Sequence, residues 1–322
     1  MHYVGIDISK ETFDVAIEDN GQYRHQQFSN DLLGFKDLIT LLDKQTHWCV
    51  MEASGPYYLK LATYLQNHEI TLSVVNPLQI RLFCKMRLKR AKTDKKDAVM
   101  IAKYAKSEQP KAWQAEAAHV LELRQMLSYA DQLNKQRSGL HNQMEALKRQ
   151  PHICEIVFHN LEFNLTYIDQ QIDLMDQQMK ILIEQHYATL YNLVKSVPGI
   201  GNKTAIMLIV ISRGFTKFNH VKQLSSYVGL SPRIFESGTS VKGKVKICKM
   251  GMSGVRKLLY LCTWSAIKHN PACKALYERL VANGKAKMVA LIAVANKLLK
   301  QVFAVTRKGE IFDKNFSTKA CF

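Results

Sequence analysis

The sequence predicts an α/β domain at its start, a pair of long helices in the middle and a mainly α-helical domain after them. Three observations carry that expectation. Strand-like runs interleave with helical runs over residues 1–110, the pattern of a mixed sheet with helices packed on it. Two apolar stripes at helical spacing run through residues 111–195, with Gln, Asn and Lys on the faces between them. Residues 196–322 hold further apolar helical runs separated by glycine-rich turns.

Taken in order, Tyr3-Val4-Gly5-Ile6-Asp7-Ile8 is a strand that ends in polar residues. Phe13-Asp14-Val15-Ala16-Ile17 comes next as a second, alternating strand, and Gly21 then turns the chain. Residues 28–46 carry Phe35, Leu38, Ile39 and Leu42 at helical spacing. Trp48-Cys49-Val50-Met51 is a strand leading into Glu52, residues 57–67 are helical, and the strand at 70–75 is stopped by Asn76-Pro77. In the middle region Leu121, Met126, Leu133, Leu140, Met144 and Leu147 form one stripe. Beyond Pro151, Ile168, Ile172, Met175, Met179 and Leu182 form the other. A helical hairpin and a coiled-coil dimerisation arm both fit these stripes. In the last region residues 286–303, with Met288, Leu291, Ile292, Val294, Leu298, Leu299 and Val302, read as a core helix.

The chain has 322 residues and a formal net charge of +18. That excess opposes folding by self-repulsion and has no use in binding a small neutral metabolite. A polyanion would relieve it, so nucleic acid is the expected partner. An anionic membrane is the competing one, but no uninterrupted apolar run approaches the roughly 20 residues a spanning helix needs. The first residues read as a strand rather than a secretory signal, so the expectation is a cytoplasmic, nucleoid-associated bacterial protein with no membrane role. Cys49, Cys84, Cys154, Cys248, Cys262, Cys273 and Cys321 are dispersed, without a C-x-x-C pair. They read as reduced thiols rather than as disulfides or a zinc site. His141, His152, His159, His220 and His269 are likewise isolated.

Four acids stand out. Asp7 and Glu52 end strands, and Asp94 and Asp97 lie three apart behind Thr93, which can cap a starting helix and place both on one face. Singly, each acid would do as a surface charge or a cap. A carboxylate closing an apolar strand is costly without a partner, however, and converging carboxylates repel unless a divalent cation neutralises them. Magnesium prefers such oxygen donors, and bound metal suits displacement at a phosphodiester. The surrounding stretch is strongly basic, with Arg81, Lys85, Arg87, Lys89, Arg90, Lys92, Lys95 and Lys96 placed to hold a phosphate backbone.

In the last region Val197-Pro198-Gly199-Ile200-Gly201-Asn202-Lys203 reads as a helix-hairpin-helix turn, whose glycines let backbone N–H groups approach a phosphate, or as a plain interhelical turn. Beyond it stand Tyr227-Val228-Gly229-Leu230-Ser231-Pro232-Arg233 and Glu236-Ser237-Gly238-Thr239-Ser240. Lys242, Lys244, Lys246 and Lys249 then alternate as in a strand edge or extended loop. On sequence alone Ser237 reads as a loop serine.

The set Val4-Gly5-Ile6-Asp7, Met51-Glu52-Ala53-Ser54-Gly55 and Lys92-Thr93-Asp94-Lys95-Lys96-Asp97-Ala98 resembles the DEDD transposases of insertion-sequence family 110, with the related pilin-gene invertase Piv. The first motif alone is also met in other RNase H-like ATPases. The three together are specific, and the segment from Tyr227 on is similar to the family's C-terminal transposase domain. The resemblance implies an RNase H-like, RuvC-like N-terminal domain over residues 1–110 with Asp7, Glu52, Asp94 and Asp97 as its Mg2+-holding site. It implies that Ser237, the serine before Gly238, is a nucleophile that stores strand energy as a phosphoserine ester, with Ser240 and Thr239 as neighbouring candidates. It further implies a homo-oligomer, dimer or tetramer, in which the acidic site of one subunit completes the serine site of another. Members of the insertion-sequence branch also take a structured non-coding guide RNA. The expected function is a site-specific DNA recombinase, transposase or invertase, with Gly199, Gly201, Lys203, Arg233 and the lysines from Lys242 to Lys249 on nucleic acid. Two alternatives stay open on the residues: a RuvC-like nuclease that hydrolyses branched DNA with water as nucleophile, and a DNA- or RNA-binding protein without catalysis.

Overall fold

A computed structural model describes residues 1–19, 21–88, 93–233, 236–237, 241–242, 246–247 and 250–314, with the backbone alone at 94, 233, 236, 237, 241, 242 and 246. The chain divides into two compact units, Met1–Glu116 and Ala117–Phe322. Where the sequence suggests three regions, the structure has two, because the middle helices and the C-terminal region share one hydrophobic core.

The first unit runs β1 (His2–Ile8), β2 (Thr12–Asp19), β3 (Gln22–Ser29), α1 (Leu32–Ile39), β4 (His47–Glu52), α2 (Tyr58–Asn67), β5 (Thr71–Val75), α3 (Pro77–Met86) and α4 (Asp94–Glu108). Its sheet has the order β3-β2-β1-β4-β5. The first three strands pair antiparallel through tight turns, whereas β4 and β5 lie parallel to β1, each reached through a helix. A mixed sheet of this order is compatible with the expected RNase H-like domain. Residues 22–29 depart from the expectation: they form an edge strand, and the helix after them has 8 residues rather than filling 28–46. Gln22, Arg24, Gln26 and Gln27 put polar groups on both faces, so no alternation marks the strand. Pairing with β2 around Gly21 (φ +82°) supplies it instead.

Both faces of the sheet are covered. Val4, Ile6, Ile8, Phe13 and Val15 pack with Phe35 and Leu38 of α1 and Leu61 and Leu65 of α2. On the other face Val50 and Val75 pack with Ile80 and Phe83 of α3 and Ile101 and Tyr104 of α4. On this face β1 presents Tyr3, Gly5 and Asp7, by strand alternation. Gly5 is what admits α4. A Cβ there would stand 2.1 Å from the Ala98 carbonyl oxygen and 2.4 Å from the Ala102 nitrogen, so helix backbone lies directly on strand backbone.

In the second unit α5 (Ala118–Leu147) and α6 (Glu155–Lys195) pack against each other within the chain. His119 meets His186 and Arg137 pairs with Asp169 at 2.8 Å, so the helices run antiparallel, the internal-pair alternative of the two the stripes allowed. The buried positions of α5 are Val120, Leu123, Leu127, Ala130, Leu133 and Met144, displaced from the expected stripe because its first half turns Leu123 and Leu127, rather than Leu121 and Met126, fully inward. Tyr187 (φ −141°, ψ 27°) interrupts α6, and its hydroxyl lies 3.1 Å from His119 Nε2. The chain continues through α7 (Asn202–Ser212), α8 (Val221–Val228), the two-residue strands β6 (Pro232–Arg233), β7 (Glu236–Ser237), β8 (Val241–Lys242) and β9 (Lys246–Ile247), and α9 (Ser253–His269), α10 (Pro271–Ala282) and α11 (Lys287–Lys308). By length and composition α11 could cross a membrane, but half of its most apolar stretch is buried and its Val294, Leu298 and Val302 sit in the core, as the sequence suggests.

Gly5→Ala should therefore cost about 3 kcal/mol or more, the upper end of overpacking penalties, since the atoms met are backbone and cannot turn away. Urea unfolding measures it, and a loss below about 1 kcal/mol would show that α4 is not seated on β1 as described. Burial, and then the facing His186, hold the His119 imidazole below its usual range. A ring that prefers to be neutral when folded stabilises fully above the unfolded value near about 6.5, and that contribution fades as the pH falls below it. His119→Gln should flatten the decline in melting temperature between about pH 7 and pH 5. An unchanged decline would remove His119 as its source.

Candidate active site

The acids of the first unit are placed by three elements. Asp7 is the penultimate residue of β1, and Glu52 closes β4, its Oε1 accepting from Ser54 Oγ at 3.3 Å. Thr93 caps α4, as its position in the sequence suggests: its Oγ1 accepts from the Lys96 N–H at 3.3 Å, with extended backbone at the cap. Asp94 is the first residue of α4, and its side chain lies outside the described residues. Asp97 is half-buried and directly precedes Ala98, whose carbonyl packs on Gly5, two residues before Asp7. The helix therefore starts at the end of the sheet where Asp7 and Glu52 stand, and its N-terminal dipole favours negative charge there.

Among the described residues no group of three or more His, Cys, Asp or Glu side chains is close enough to hold a metal ion. The donor types at this end of the sheet are carboxylates and a hydroxyl, hard oxygens that suit magnesium and not a thiolate-seeking metal. Cys49, the cysteine nearest along the chain, is a buried thiol pushed up to about 12 by desolvation, so it stays protonated.

A fifth acid was not singled out in the sequence. Asp14 on β2 is the ladder partner of Asp7, and by alternation both face α4. Asp14 is 5% exposed, with His25 Nε2 at 2.6 Å from Oδ1 and Gln27 Nε2 donating to Oδ2 at 3.1 Å, both from β3. A signal for it exists in the sequence. Asp7 and Asp14 are equally distant from the turn joining the first two strands, where Ser9 and Thr12 hydrogen-bond. That pairing comes from placing the hairpin turn, which alternation alone does not do.

The basic residues are only partly visible. Arg87 lies at the C-terminus of α3 with its guanidinium over the Phe83 ring at 4.9 Å, and Lys95 and Lys96 are exposed on the first turn of α4. Lys89, Arg90 and Lys92 lie outside the described residues.

In the second unit the turn between α6 and α7 holds Gly199 at φ +105°, where a Cβ would come within 2.8 Å of the Ala266 Cβ. Gly201 caps α7, and a cavity of about 360 Å³ lies beside the turn, lined by Gly199, Gly201, Thr204, Leu258, Cys262 and Ser265. Burial raises the Asp176 carboxyl above its usual range, with the Lys203 charge acting against it. Ser237 ends β7 and pairs in register with Val241, and Glu236 pairs with Lys242. Arg233 pairs with Lys246 across β6 and β9. The side chains of Arg233, Ser237, Lys242 and Lys246 lie outside the described residues, as do Gly238, Thr239, Ser240, Lys244 and Lys249 altogether.

Residues 4–151 match a family model described as a transposase, and residues 191–278 match one described as a transposase of the IS116/IS110/IS902 family. The pilin gene-inverting protein of Moraxella lacunata is 32% identical over 97% of this chain and 98% of its own length. That of Moraxella bovis is 32% identical over the same shares. The transposase for insertion sequence element IS1111A of Coxiella burnetii is 23% identical over 96% of this chain and 90% of its own.

Thr93→Ala should remove the cap and cost about 1 kcal/mol, felt first where Asp94 and Asp97 are carried. Hydrogen exchange at the amides from Lys95 to Asp97 should quicken about fivefold. Unchanged exchange would mean that the cap does not hold the start of α4.

Proposed function

The chain belongs to the IS116/IS110/IS902 family of transposases and matches the pilin gene-inverting proteins along almost their whole length, and from that premise we propose a site-specific DNA recombinase, transposase or invertase, that cuts and rejoins DNA through a phosphoserine. Asp7, Glu52, Asp94 and Asp97 hold divalent magnesium, and Ser237 is the nucleophile. The observation that carries the reading is the seating of α4 on Gly5, which sets Asp97 at the same end of the sheet as Asp7 and Glu52.

In this mechanism the Ser237 Oγ attacks a backbone phosphorus, one bridging P–O bond breaks, and the freed hydroxyl leaves with a proton. The ester keeps the energy of the broken bond, so a hydroxyl from another strand can displace Ser237 and reseal the DNA without ATP. When bound, magnesium neutralises charge building on the phosphate oxygens. The four carboxylates would hold it, and the N-terminal dipole of α4 favours their negative charge. Arg87, Lys89, Arg90, Lys92, Lys95 and Lys96, with Arg233, Lys242, Lys244, Lys246 and Lys249, position nucleic acid backbone. Gly199 and Gly201 bring backbone N–H groups to a phosphate at the helix-hairpin-helix turn. Lys203, on the first turn of α7, adds positive charge beside them.

The partners in this reading are double-stranded DNA, a structured non-coding guide RNA if the protein works as the insertion-sequence branch does, and other copies of the chain. Support for the last comes from α6, where Ile156, Phe163, Tyr167, Leu174 and Ile181 are all exposed and share one side of the helix. The net charge of +18 suits either nucleic acid and the nucleoid.

A hydrolytic nuclease would use the same acids with water, and two substitutions separate the readings. Ser237→Ala should abolish the covalent protein–DNA adduct and strand exchange on supercoiled plasmid carrying the element ends, and Asp7→Asn should cut both by about a thousandfold or more. Cleavage that persists in Ser237→Ala, with no adduct in the wild type, would establish the nuclease and end the recombinase reading.

A further inference from the structure

We propose that Asp14 is a positioning residue for Asp7: a buried carboxylate, tied by His25 and Gln27, whose fixed charge strengthens the hold of this end of the sheet on a divalent cation. The inference deepens the metal reading of the acidic end and rests on it.

The geometry begins with the ladder. Directly opposed residues of an antiparallel pair stand with Cβ atoms about 4.5–5.5 Å apart on one face, so Asp14 and Asp7 are nearest cross-strand neighbours on the side that α4 covers. Like charges so placed are unfavourable, and a buried carboxylate must be satisfied by hydrogen bonds. Both conditions are met from the far side, where β3 sends His25 to one oxygen of Asp14 and Gln27 to the other. Further along α4, Lys106 pairs with Glu18 at 2.7 Å and Lys103 lies over the Tyr23 ring.

The competing account is structural, with the Asp14–His25–Gln27 cluster as a polar clamp holding the edge strand. The rest of the hairpin argues against that need. β3 pairs with β2 at every position from Thr12 to Asp19, and on the opposite face the neighbouring Phe13–Phe28 pair stacks at 5.3 Å with no polar group at all. Packing alone closes the hairpin there. A buried anion at the one position facing Asp7 does something that an apolar pair would not, and the property it adds is negative charge next to Asp7.

Charge held beside a ligand acts on affinity, as outer partners of metal ligands do when their loss weakens binding about 10–100-fold. The test is titration of the full-length chain with Mn2+, read by calorimetry or by the electron paramagnetic resonance of the free ion. Melting temperature is followed alongside. Asp14→Asn should weaken Mn2+ binding at least about tenfold. Gln27→Ala cuts the clamp but keeps the charge, so it should lower the melting temperature and leave affinity within about twofold of wild type. Asp14→Asn/His25→Gln replaces the pair by neutral amides and should weaken binding as the single change does; it decides the matter if Asp14→Asn alone does not fold. Wild-type affinity in a folded Asp14 variant overturns the proposal, as does an equal loss in Gln27→Ala. Asp7→Asn separates the two levels. Weak binding in Asp7→Asn with Asp14 variants unaffected sinks the role of Asp14 alone, whereas no Mn2+ binding by the wild type sinks the metal reading and this inference together.

Discussion

The contact of helix backbone on strand backbone at Gly5 is the constraint on which the first unit depends. A helix normally rests on a sheet at a distance set by two layers of side chains. Here one layer is missing on the strand, and alanines (Ala98 and Ala102) thin the other, so α4 lies as low on β1 as covalent geometry allows. So close an approach gives the helix a precise seat. Ile101 and Tyr104 are fixed against Val50, Phe83 and Ile80, and the cap at Thr93 sets where the helix begins. A helix floating on long side chains could slide by a fraction of a turn. One keyed into a glycine cannot, and the acids on its first turn inherit that fixity.

Fixity matters because the acidic end is expensive. Like charges directly opposite each other across an antiparallel pair, as Asp7 and Asp14 are, destabilise it. A hydrogen bond to a charged group recovers roughly 1.5–3 kcal/mol, so the two bonds that Asp14 receives offset the repulsion from Asp7. The N-terminus of α4 contributes in the same direction. The strands and the helix thus assemble like charges and supply part of the compensation locally, through the side chains of β3 and the start of α4.

Much of this was legible in the residues. The strands at Tyr3–Ile8 and 13–17 and the helix from Thr93 announce themselves by alternation and capping, both local properties of the chain. β3 does not, because an edge strand open to solvent needs no alternation, and Gln22–Ser29 shows none. Asp14 was hidden for a related reason. Its setting is defined by a partner strand and by two β3 side chains, so reading it requires the register of a strand that the sequence conceals. Gly5 was visible as a residue but not as a device: that it meets Ala98 and Ala102 is a fact about a helix some ninety residues on. The stripe on α5 was misplaced by a fraction of a turn, because a long helix packed over part of its length against α6 and part against α7 changes its buried face along the way.

The positive charge is spent in two different ways. Lys106 on Glu18, Lys135 on Asp131 and Arg137 on Asp169 are pairs internal to the chain, partly exposed and each worth little to stability. With 45 basic residues against 27 acidic ones, pairing of this kind cannot absorb the excess. What remains concentrates around Asp94 and Asp97 in the first unit and between Arg233 and Lys249 in the second, the two stretches that carry the acids and the serine. A basic surface spread evenly would attract nucleic acid anywhere. Under the proposed recombinase chemistry, charge gathered beside the acids and the serine would make the strongest non-specific contact also the one that brings a phosphate to them, and this local placement, rather than the sum of +18, would tie the composition to the chemistry.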